Sequence, residues 1–329
     1  MTRMPSATGT FDPRHSGLEA FRSADPAMRR CLDLARIAAS TDLPVLILGE
    51  SGTGKTLLAR AIHNSSKRGG HPFVSFNAAA LSDTLLDSQL FGHEKGAFTG
   101  ADKSVKGKFE LAEDGTLFID EIADLSLAAQ AKILRAVEYG EYERLGGEKL
   151  RTADVRLISA THLALATYIR SDQFRKDLFY RISGITLTIP PLRERPEDLR
   201  ALIAVEIAQA SRQQGKSIVG LSTQAAENLF SYDWPGNLRE LKRVIQLAVA
   251  IAESDIIPAE AILFQPLEGT RGVQRTGDVG RATPDEDLKL RSIEQRHIRG
   301  VLQKYGGNKR QAAHALGISR STLDRKLSV

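Results

Sequence analysis

One octapeptide constrains the fold of this chain more than any other feature of its sequence. Residues 49–56 read Gly-Glu-Ser-Gly-Thr-Gly-Lys-Thr and match the phosphate-binding pattern G-x-x-x-x-G-K-[ST] in full. The octapeptide follows the apolar run Val45–Leu48 and precedes a helical pattern, which is the context that such a loop requires. Its glycines let successive backbone N–H groups turn toward phosphate oxygens, and a helix N-terminus adds partial positive charge. A purely structural Gly-rich turn is the alternative, and the combination of pattern and context disfavours it.

The octapeptide therefore predicts a nucleotide site. Lys55 is expected to reach the β and γ phosphates, and the hydroxyl of Thr56 is expected to bind Mg²⁺. The predicted nucleotide-binding residues of this loop are Gly49, Glu50, Ser51, Gly52, Thr53, Gly54, Lys55 and Thr56.

A second motif, Thr-Leu-Phe-Ile-Asp-Glu at residues 116–121, places two carboxylates at the end of an apolar run. The carboxyl ends of parallel strands share one edge of a sheet, and a phosphate loop lies at that edge. Asp120 is then expected to help hold the magnesium ion, and Glu121 to orient or deprotonate the attacking water. Alone, such a pair would more often be an exposed strand end. Combined with the phosphate loop, it predicts a hydrolysis site.

Strand-like and helical patterns alternate from residue 21 to residue 192. The candidate strands are Pro44–Leu48, Pro72–Phe76, Thr116–Ile119, Asp154–Ser159 and Gly184–Ile189. The helical patterns between them are Thr56–His63, Ser82–Leu90, Ala128–Glu138 and Gln173–Arg181. Apolar strands that alternate with helices predict an α/β domain with a parallel sheet covered on both faces.

Composition divides the rest of the chain. Residues 193–264 predict a small helical domain, with helical patterns at Pro196–Arg212, Thr223–Phe230 and Asn237–Ala252. Residues 1–20 and 265–287 are rich in polar residues and Gly, without apolar periodicity. We therefore expect a disordered N-terminus and a flexible linker there. Residues 288–329 begin with a long helical pattern and form a third predicted domain.

The overall composition is that of an ordinary globular protein, with 42% hydrophobic and 26% charged residues. The single cysteine, Cys31, excludes an internal disulfide framework and is typical of a reducing compartment. The first twenty residues contain no apolar signal region, and no apolar run approaches the roughly 18 residues of a membrane span. We therefore expect a cytoplasmic protein without membrane insertion.

The C-terminal segment 288–329 carries the excess of positive charge. It contains ten Lys and Arg residues against two acids, whereas the rest of the chain carries 35 against 38. Such asymmetry suggests a terminal module for a polyanion. Asn308 is a good N-cap for a helix Lys309–Leu316, and a Gly-containing turn leads to a final helix Arg320–Leu327. Two short helices joined in this way form a helix-turn-helix.

The predicted DNA-binding residues fall into two groups. Those expected to face the major groove from the second helix are Arg320, Ser321, Thr322 and Arg325. Those better placed for the phosphate backbone are Lys309, Arg310 and Lys326. The apolar residues expected to pack the two helices together are Ala312, Ala313, Leu316, Ile318 and Leu323. A helical dimerisation hairpin is the alternative, and the positive charge weighs against it.

The segment Gly96–Ala101, Gly-Ala-Phe-Thr-Gly-Ala, has neither a helical nor a strand period. Phe98 is its only large apolar side chain, and the glycines allow sharp bends. One interpretation is a mobile loop that offers an aromatic side chain to a partner. The other, which composition alone favours, is a turn that tucks Phe98 into the core.

Together these motifs resemble one family, the bacterial enhancer-binding proteins, which are AAA+ activators of RNA polymerase carrying sigma-54. Gly-Ala-Phe-Thr-Gly-Ala is the signature loop of that family and stands here unaltered, and six motifs occur in the family's order over roughly Phe21 to Val329. The C-terminal segment resembles the Fis-type helix-turn-helix that ends many members. The resemblance implies a five-stranded parallel P-loop NTPase sheet with a helical lid, a homo-oligomer from dimer to hexameric ring, and binding to an enhancer in double-stranded DNA.

The resemblance also implies roles for single residues. Asn77 matches the asparagine that holds the catalytic glutamate in a waiting state, and Thr161 matches the residue that senses the γ-phosphate. Arg175 and Arg181 match the arginines that reach the neighbouring subunit's nucleotide, and Arg239 matches the lid arginine over the phosphates. The implied catalytic set is Glu121, Asp120, Asn77, Thr161, Arg175 and Arg181. The implied sigma-54 contact loop is Gly96, Ala97, Phe98, Thr99, Gly100 and Ala101, with Phe98 and Thr99 touching sigma-54.

Arg175 and Arg181 have a competing interpretation, and His162 departs from the usual family pattern. Without the family, Arg175 and Arg181 would be residues of surface ion pairs, worth only about 0–1 kcal/mol each. If they act in trans, a lone subunit should hydrolyse ATP poorly. His162 stands where relatives usually have Asn, and an imidazole changes its charge near neutral pH. We expect this residue to alter the tuning of the γ-phosphate sensor.

The sequence thus predicts a sigma-54-dependent transcriptional activator that uses ATP hydrolysis in a ring to remodel the polymerase and open the promoter. Another AAA+ machine tethered to DNA, such as a helicase loader or protein unfoldase, is the main alternative, but it gives no reason for the Gly96–Ala101 loop. A DNA-binding repressor with a vestigial ATPase is a third interpretation.

About twenty residues precede the ATPase core, too few for a folded sensor. The organisation resembles stand-alone members such as the phage-shock operon activator, so we expect control by a separate regulatory protein or by abundance rather than by phosphorylation of an internal aspartate.

Overall fold

The computed structural model describes residues 16–79 and 82–264, together with positions 308, 309, 311, 313 and 323. The chain divides into two compact units, Met1–Gln265 and Pro266–Val329. The first unit contains the α/β domain and the helical domain that the sequence predicts.

The described part of the first unit contains ten α-helices and eleven strands. The helices are α1 Pro26–Ser40, α2 Lys55–Asn64, α3 Asp83–Phe91, α4 Lys108–Leu111, α5 Leu127–Tyr139, α6 Leu165–Arg170, α7 Lys176–Ile182, α8 Pro196–Gln214, α9 Thr223–Ser231 and α10 Asn237–Ile251. The strands are β1 Val45–Leu48, β2 Phe73–Asn77, β3 Gly92–His93, β4 Val105–Lys106, β5 Thr116–Asp120, β6 Glu141–Tyr142, β7 Arg151–Thr152, β8 Arg156–Thr161, β9 Ile185–Thr188, β10 Gly220–Leu221 and β11 Ile256–Ile257. None of these described helices combines the length and apolar character needed to cross a lipid bilayer.

Five strands form one parallel sheet in the order β2-β5-β8-β1-β9. All five were predicted from their apolar runs, so the α/β fold class is confirmed. Asn77 pairs in register with Asp120, and Leu48 with Thr161. Because the carboxyl ends of parallel strands share one edge, these residues lie along the edge at which the phosphate loop begins.

The strand side chains divide between two cores, one on each face of the sheet. Val45 and Ile47 of β1 are fully buried in the core formed with α1 and α2. Leu46 points to the opposite core, which includes Ile133 of α5. Successive side chains of a strand alternate between faces. A sheet buried on both sides therefore needs apolar residues at every position, which explains the continuous apolar runs in the sequence.

Helix α1 was not among the predicted elements. Asp25 caps its N-terminus by accepting a hydrogen bond from the backbone N–H of Met28 at 2.8 Å, and Pro26 occupies the first helical position. This Asp-Pro pair is a recognisable start signal. The buried face of α1, which includes Leu32 and Ala35, then covers the sheet.

Residues 16–20 lie within the segment predicted to be disordered, and the structure corrects that prediction. Leu18–Ala20 form a 3₁₀ turn, and Leu18 is only 3% exposed. Its backbone N–H donates to Ser65 Oγ at 2.9 Å. One buried leucine in a polar segment produces no periodic pattern, so the sequence did not reveal this anchor. Residues 1–15 lie outside the described residues.

The helical domain packs α8, α9 and α10 around a core of its own, as predicted. Trp234 is fully buried at its centre, and its Nε1 donates to the Leu229 carbonyl at 3.0 Å. Tyr232 and Phe264 contact the indole ring edge-on, with ring centroids 5.2 and 5.7 Å away. The predicted linker, residues 265–287, lies outside the described residues.

Five positions of the predicted helix-turn-helix are described. Asn308 Oδ1 accepts a hydrogen bond from the backbone N–H of Gln311 at 3.3 Å, which is the predicted N-cap geometry. Ala313 is 3% exposed and Leu323 is fully buried, in agreement with their predicted packing role.

Candidate nucleotide site

The phosphate loop connects β1 to α2, as predicted. Gly52 and Gly54 adopt left-handed backbone conformations, with φ of 79° and 102°, which glycine adopts without a steric penalty. Gly54 is the N-cap of α2, and no side chain caps that helix. The first N–H groups of α2 can therefore be offered to an anion such as a phosphate.

Lys55 places a nearly buried cation inside the loop. Its side chain is 6% exposed, and Nζ donates to the carbonyl oxygens of Gly49 at 2.9 Å and Glu50 at 3.3 Å. The same atom lies 3.6 Å from Glu121 Oε1. A buried ammonium needs charged or polar partners. Phosphate oxygens would suit Lys55 well, since hydrogen bonds between ionised groups are the strong ones.

Asp120 and Glu121 reach the same edge from β5. Thr56 Oγ1 donates to Asp120 Oδ2 at 3.4 Å, and the backbone N–H of Glu121 donates to Asp120 Oδ1 at 3.2 Å. No cluster of three or more His, Cys, Asp and Glu side chains within the described residues could hold a metal. Mg²⁺ needs only one or two protein ligands, because it keeps waters and binds substrate phosphates. Thr56 and Asp120 therefore fit a magnesium ion that arrives with a nucleotide.

The pKa values of the two carboxyl groups are shifted in opposite directions. Burial and the charge of Glu121 raise the pKa of Asp120, although Lys55 acts against them. Burial also acts to raise the pKa of Glu121, but hydrogen bonds from His162 and the charge of Lys55 bring that pKa below its ordinary value. Glu121 is therefore ionised at neutral pH, as its predicted role of general base requires.

Asn77 ends β2 and Thr161 ends β8, the two strands that flank β5, and both residues lie at this edge of the sheet. Asn77 is exposed, and its Oδ1 accepts a hydrogen bond from the Ala79 N–H at 2.8 Å. Thr161 is fully buried, and its carbonyl oxygen accepts from the Gly49 N–H at 3.3 Å. Thr161 thus lies directly beside the phosphate loop, whereas Asn77 lies opposite Asp120.

His162 contacts Glu121, which the sequence did not reveal. Its Nδ1 lies 2.8 Å from Glu121 Oε2, and its backbone N–H donates to the same oxygen at 3.1 Å. The residue that departs from the usual family pattern therefore lies against the candidate general base.

We expect this contact to give ATP hydrolysis a pH dependence that differs from that of a His162→Asn variant. The side-chain hydrogen bond from His162 is the largest of the effects that lower the pKa of Glu121, so its loss should let that pKa rise toward its ordinary value. Glu121 would then take up a proton at a higher pH, and hydrolysis by the variant should fall at a higher pH than hydrolysis by the unaltered protein. Steady-state turnover of both proteins from neutral pH into the acid range tests this, with nucleotide binding measured at each pH as a control. Superimposable profiles would contradict it.

The predicted lid arginine lies at the loop. Arg239 Nη1 donates to Ser51 Oγ at 2.9 Å. Arg193 and Asn237 also contact the loop, through Glu50, and the sequence analysis did not assign them a role. The Pro-Gly-Asn turn that contains Asn237 was visible in the sequence, but nothing local showed which group its side chain would meet.

Arg175 and Arg181 are exposed and lie on or beside α7. Arg175 makes two hydrogen bonds to Asp177, of 3.1 and 2.7 Å, and Arg181 Nη2 donates to the Val137 carbonyl at 3.0 Å. Neither arginine has a hydrogen bond or an ion pair to the phosphate loop, in which every residue is described. Within one subunit they stand apart from the site.

The segment Gly96–Ala101 forms the tip of the antiparallel hairpin β3–β4. The Gly96 N–H donates to the Ala101 carbonyl at 2.9 Å, which closes the loop. Phe98 is half-buried and packs edge-on against His93, with centroids 5.0 Å apart, while Thr99 is exposed. Phe98 packs on its own hairpin, so the interpretation that tucked it into the core is wrong.

Of the predicted DNA-contact residues, Lys309 is described, and it is helical and exposed. The others lie outside the described residues: Arg310, Arg320, Ser321, Thr322, Arg325 and Lys326.

Three protein families match successive parts of the chain. The sigma-54 interaction domain matches residues 21–188. The AAA+ ATPase lid domain matches residues 193–276, and the bacterial regulatory protein family of Fis type matches residues 289–328.

Curated relatives cover nearly the whole chain. The transcriptional regulatory protein ZraR of Klebsiella oxytoca is 44% identical over 304 residues, which are 92% of this chain and 67% of that protein. The alginate biosynthesis transcriptional regulatory protein AlgB of Pseudomonas aeruginosa is 42% identical over 308 residues, which are 94% of this chain and 67% of that protein. The crystal structure of NtrX from Brucella abortus in complex with ATP has a TM-score of 0.73 and 30% identity, covering 96% of this chain and 69% of that one.

These matches agree with the sheet order, the phosphate loop and the hairpin hexapeptide. The chain therefore belongs to the bacterial enhancer-binding proteins, the sigma-54-dependent transcriptional activators with an AAA+ ATPase core and a Fis-type helix-turn-helix.

Proposed function

We propose that this protein hydrolyses ATP and uses the hydrolysis to remodel RNA polymerase carrying sigma-54, so that promoter DNA opens. One observation carries the proposal: the Gly96–Ala101 hairpin and the candidate hydrolysis site belong to the same domain. That site combines a phosphate loop, a buried Lys55 and an ionised Glu121. The relative NtrX has been crystallised with ATP, which supports the same ligand here.

Each group of residues in the site has a separate chemical role. Lys55 and the open N-terminus of α2 bind the phosphates of ATP, and Arg239 approaches them from the lid. Thr56 and Asp120 hold Mg²⁺, which neutralises phosphate charge when bound. Glu121 orients the attacking water and accepts its proton.

A homo-oligomeric ring is part of the proposal. The transition state of phosphoryl transfer spreads negative charge over the γ-phosphate oxygens, and an arginine supplied from outside the pocket stabilises it strongly. Arg175 and Arg181 stand apart from their own subunit's loop and are exposed. They therefore act on the nucleotide of a neighbouring subunit.

The hairpin tip and the helix-turn-helix make the contacts with sigma-54 and with DNA. Phe98 and Thr99 at the hairpin tip contact sigma-54. The helix-turn-helix, with its net positive charge, binds an enhancer in double-stranded DNA. The exposed position of Thr99 suits such a contact.

We expect a Thr99→Ala variant to hydrolyse ATP at close to the normal rate but to lose promoter opening. The measurement is open-complex formation in vitro by purified sigma-54 holoenzyme, with ATP or a non-hydrolysable analogue. Thr223→Ala, which removes an exposed threonine from the lid, is the matched control and should open the promoter normally. If the unaltered protein hydrolyses ATP but opens no sigma-54 promoter, it acts on a target other than RNA polymerase carrying sigma-54.

A further inference from the structure

The lid touches the phosphate loop through a short turn, Trp234–Asn237. The backbone N–H of Leu238 donates to the Gly52 carbonyl at 3.0 Å. A Cβ atom on Gly52 would clash with the Gly236 carbonyl oxygen, so the two backbones are in direct contact. Any change in the angle of the lid must therefore act on the loop itself.

Asn237 joins three segments at this contact. Its Oδ1 accepts a hydrogen bond from the Leu192 N–H at 2.7 Å, in the connection between sheet and lid. Its Nδ2 donates to Glu50 Oε2 at 3.2 Å and to the Ser51 carbonyl at 3.1 Å. The residue is fully buried and has a φ of 50°, which asparagine tolerates better than most residues.

Arg193 holds Glu50 from the other side. Its Nη1 and Nη2 donate to the two carboxylate oxygens of Glu50 at 2.8 and 2.6 Å, a paired geometry with high directional specificity. The hydrogen bonds from Arg193 lower the pKa of Glu50 below its ordinary value, so the carboxylate is charged at neutral pH. Both side chains are about 40% exposed, so the pair contributes little to stability. The effect of the ion pair is to fix the position of the Glu50 carboxylate.

The lid side of the contact is also held in place. Glu240 Oε2 accepts a hydrogen bond from the Gly236 N–H at 2.8 Å, and Glu240 Oε1 accepts one from the Tyr232 hydroxyl at 2.9 Å. Arg239, one residue before Glu240, therefore extends from the first turn of α10, whose position is set by Asn237 on the loop side.

We propose that Glu50, Arg193 and Asn237 form a lid latch that sets the angle between the lid and the phosphate loop and so positions Arg239 for the nucleotide. The proposal rests on the proposed ATP hydrolysis and deepens it. Glu50 lies in the phosphate loop, but its carboxylate binds the lid and the connection rather than phosphate. The three latch residues are positioning residues, because they act through Arg239.

The test uses the full-length protein with Glu50→Gln and Asn237→Asp substitutions. Glu50→Gln removes the charge that Arg193 binds, and Asn237→Asp replaces a donor with a carboxylate that repels Glu50. For each variant we expect the KM for ATP to rise about three- to tenfold while kcat changes less than about twofold. Glu197→Gln, which alters an exposed glutamate in the first turn of α8, is the matched control and should leave KM unchanged. An unchanged KM in Glu50→Gln overturns the latch.

A double-mutant cycle separates positioning from a structural effect. In an Arg239→Ala background, the effect of Glu50→Gln on KM should shrink to less than about twofold, since the latch has no arginine left to position. The same fold-change in both backgrounds overturns the proposal.

Hydrogen–deuterium exchange tests the latch independently of turnover. Peptides that contain the amides of Leu192 and Leu238 should exchange faster in Asn237→Asp than in the unaltered protein. If the unaltered protein hydrolyses no ATP, the proposed function fails, while this exchange result still decides whether the latch exists. Unchanged exchange at both amides overturns the latch and leaves the proposed function untouched.

Discussion

A Glu121→Gln variant should bind ATP and hydrolyse it at least about 100-fold more slowly than the unaltered protein. The substitution keeps the size of the side chain but removes the carboxylate whose pKa the site lowers. Asp120, Thr56 and Lys55 stay in place, so the phosphates and the magnesium ion keep their partners. Steady-state turnover and binding of a fluorescent ATP analogue measure the two effects separately.

Two comparisons make this result specific. Glu227→Gln alters an exposed glutamate on α9 and should leave turnover unchanged. A repressor with a vestigial ATPase would keep its activity after Glu121→Gln, whereas an activator would stop opening promoters. Turnover above about a tenth of normal would show that another group serves as the base.

Replacing Trp234 with alanine is expected to lower the free energy of unfolding by about 3–5 kcal/mol. The indole is fully buried at the centre of the lid, so its removal loses packing against Tyr232 and Phe264 and leaves the Leu229 carbonyl without its donor. Chemical denaturation followed by circular dichroism gives the difference.

Phe230→Ala is the matched control for that loss. Phe230 belongs to the same helical domain but is 42% exposed, and Arg200 lies over its ring at 5.5 Å. Its replacement should cost about 1 kcal/mol or less. Equal losses in the two variants would mean that the lid does not depend on the packing around Trp234.

The elements that the sequence predicted correctly share one property: each is encoded in a short stretch. The strand before the phosphate loop is apolar at every position because it is buried on both faces. The phosphate loop has its glycines where the backbone is left-handed, at Gly52 and Gly54. Asn308 caps its helix from the position that the sequence indicated. Such features depend on a few neighbouring residues and can be recognised without the fold.

The sequence did not reveal the environments of two apolar side chains. Composition alone favoured a core position for Phe98, whereas the family resemblance placed it in the sigma-54 contact loop, and it packs on His93 of its own hairpin. Leu18 was placed in a disordered segment because residues 1–20 show no apolar periodicity, yet it is buried beside α1 and α2. In both cases the side chain's environment comes from a partner that composition and periodicity do not identify.

The sequence by itself determined the α/β class, the five strands of the parallel sheet, and the motifs of the candidate nucleotide site, because the pattern of neighbouring residues encodes both the backbone conformation and the chemistry. Only the tertiary structure decided which distant side chains act on that site. His162 reaches Glu121 across 41 residues, and Arg193 and Asn237 reach Glu50 across 143 and 187. These contacts depend on the order of strands in the sheet and on the docking of the lid. Both are set by packing between segments that are far apart in the chain.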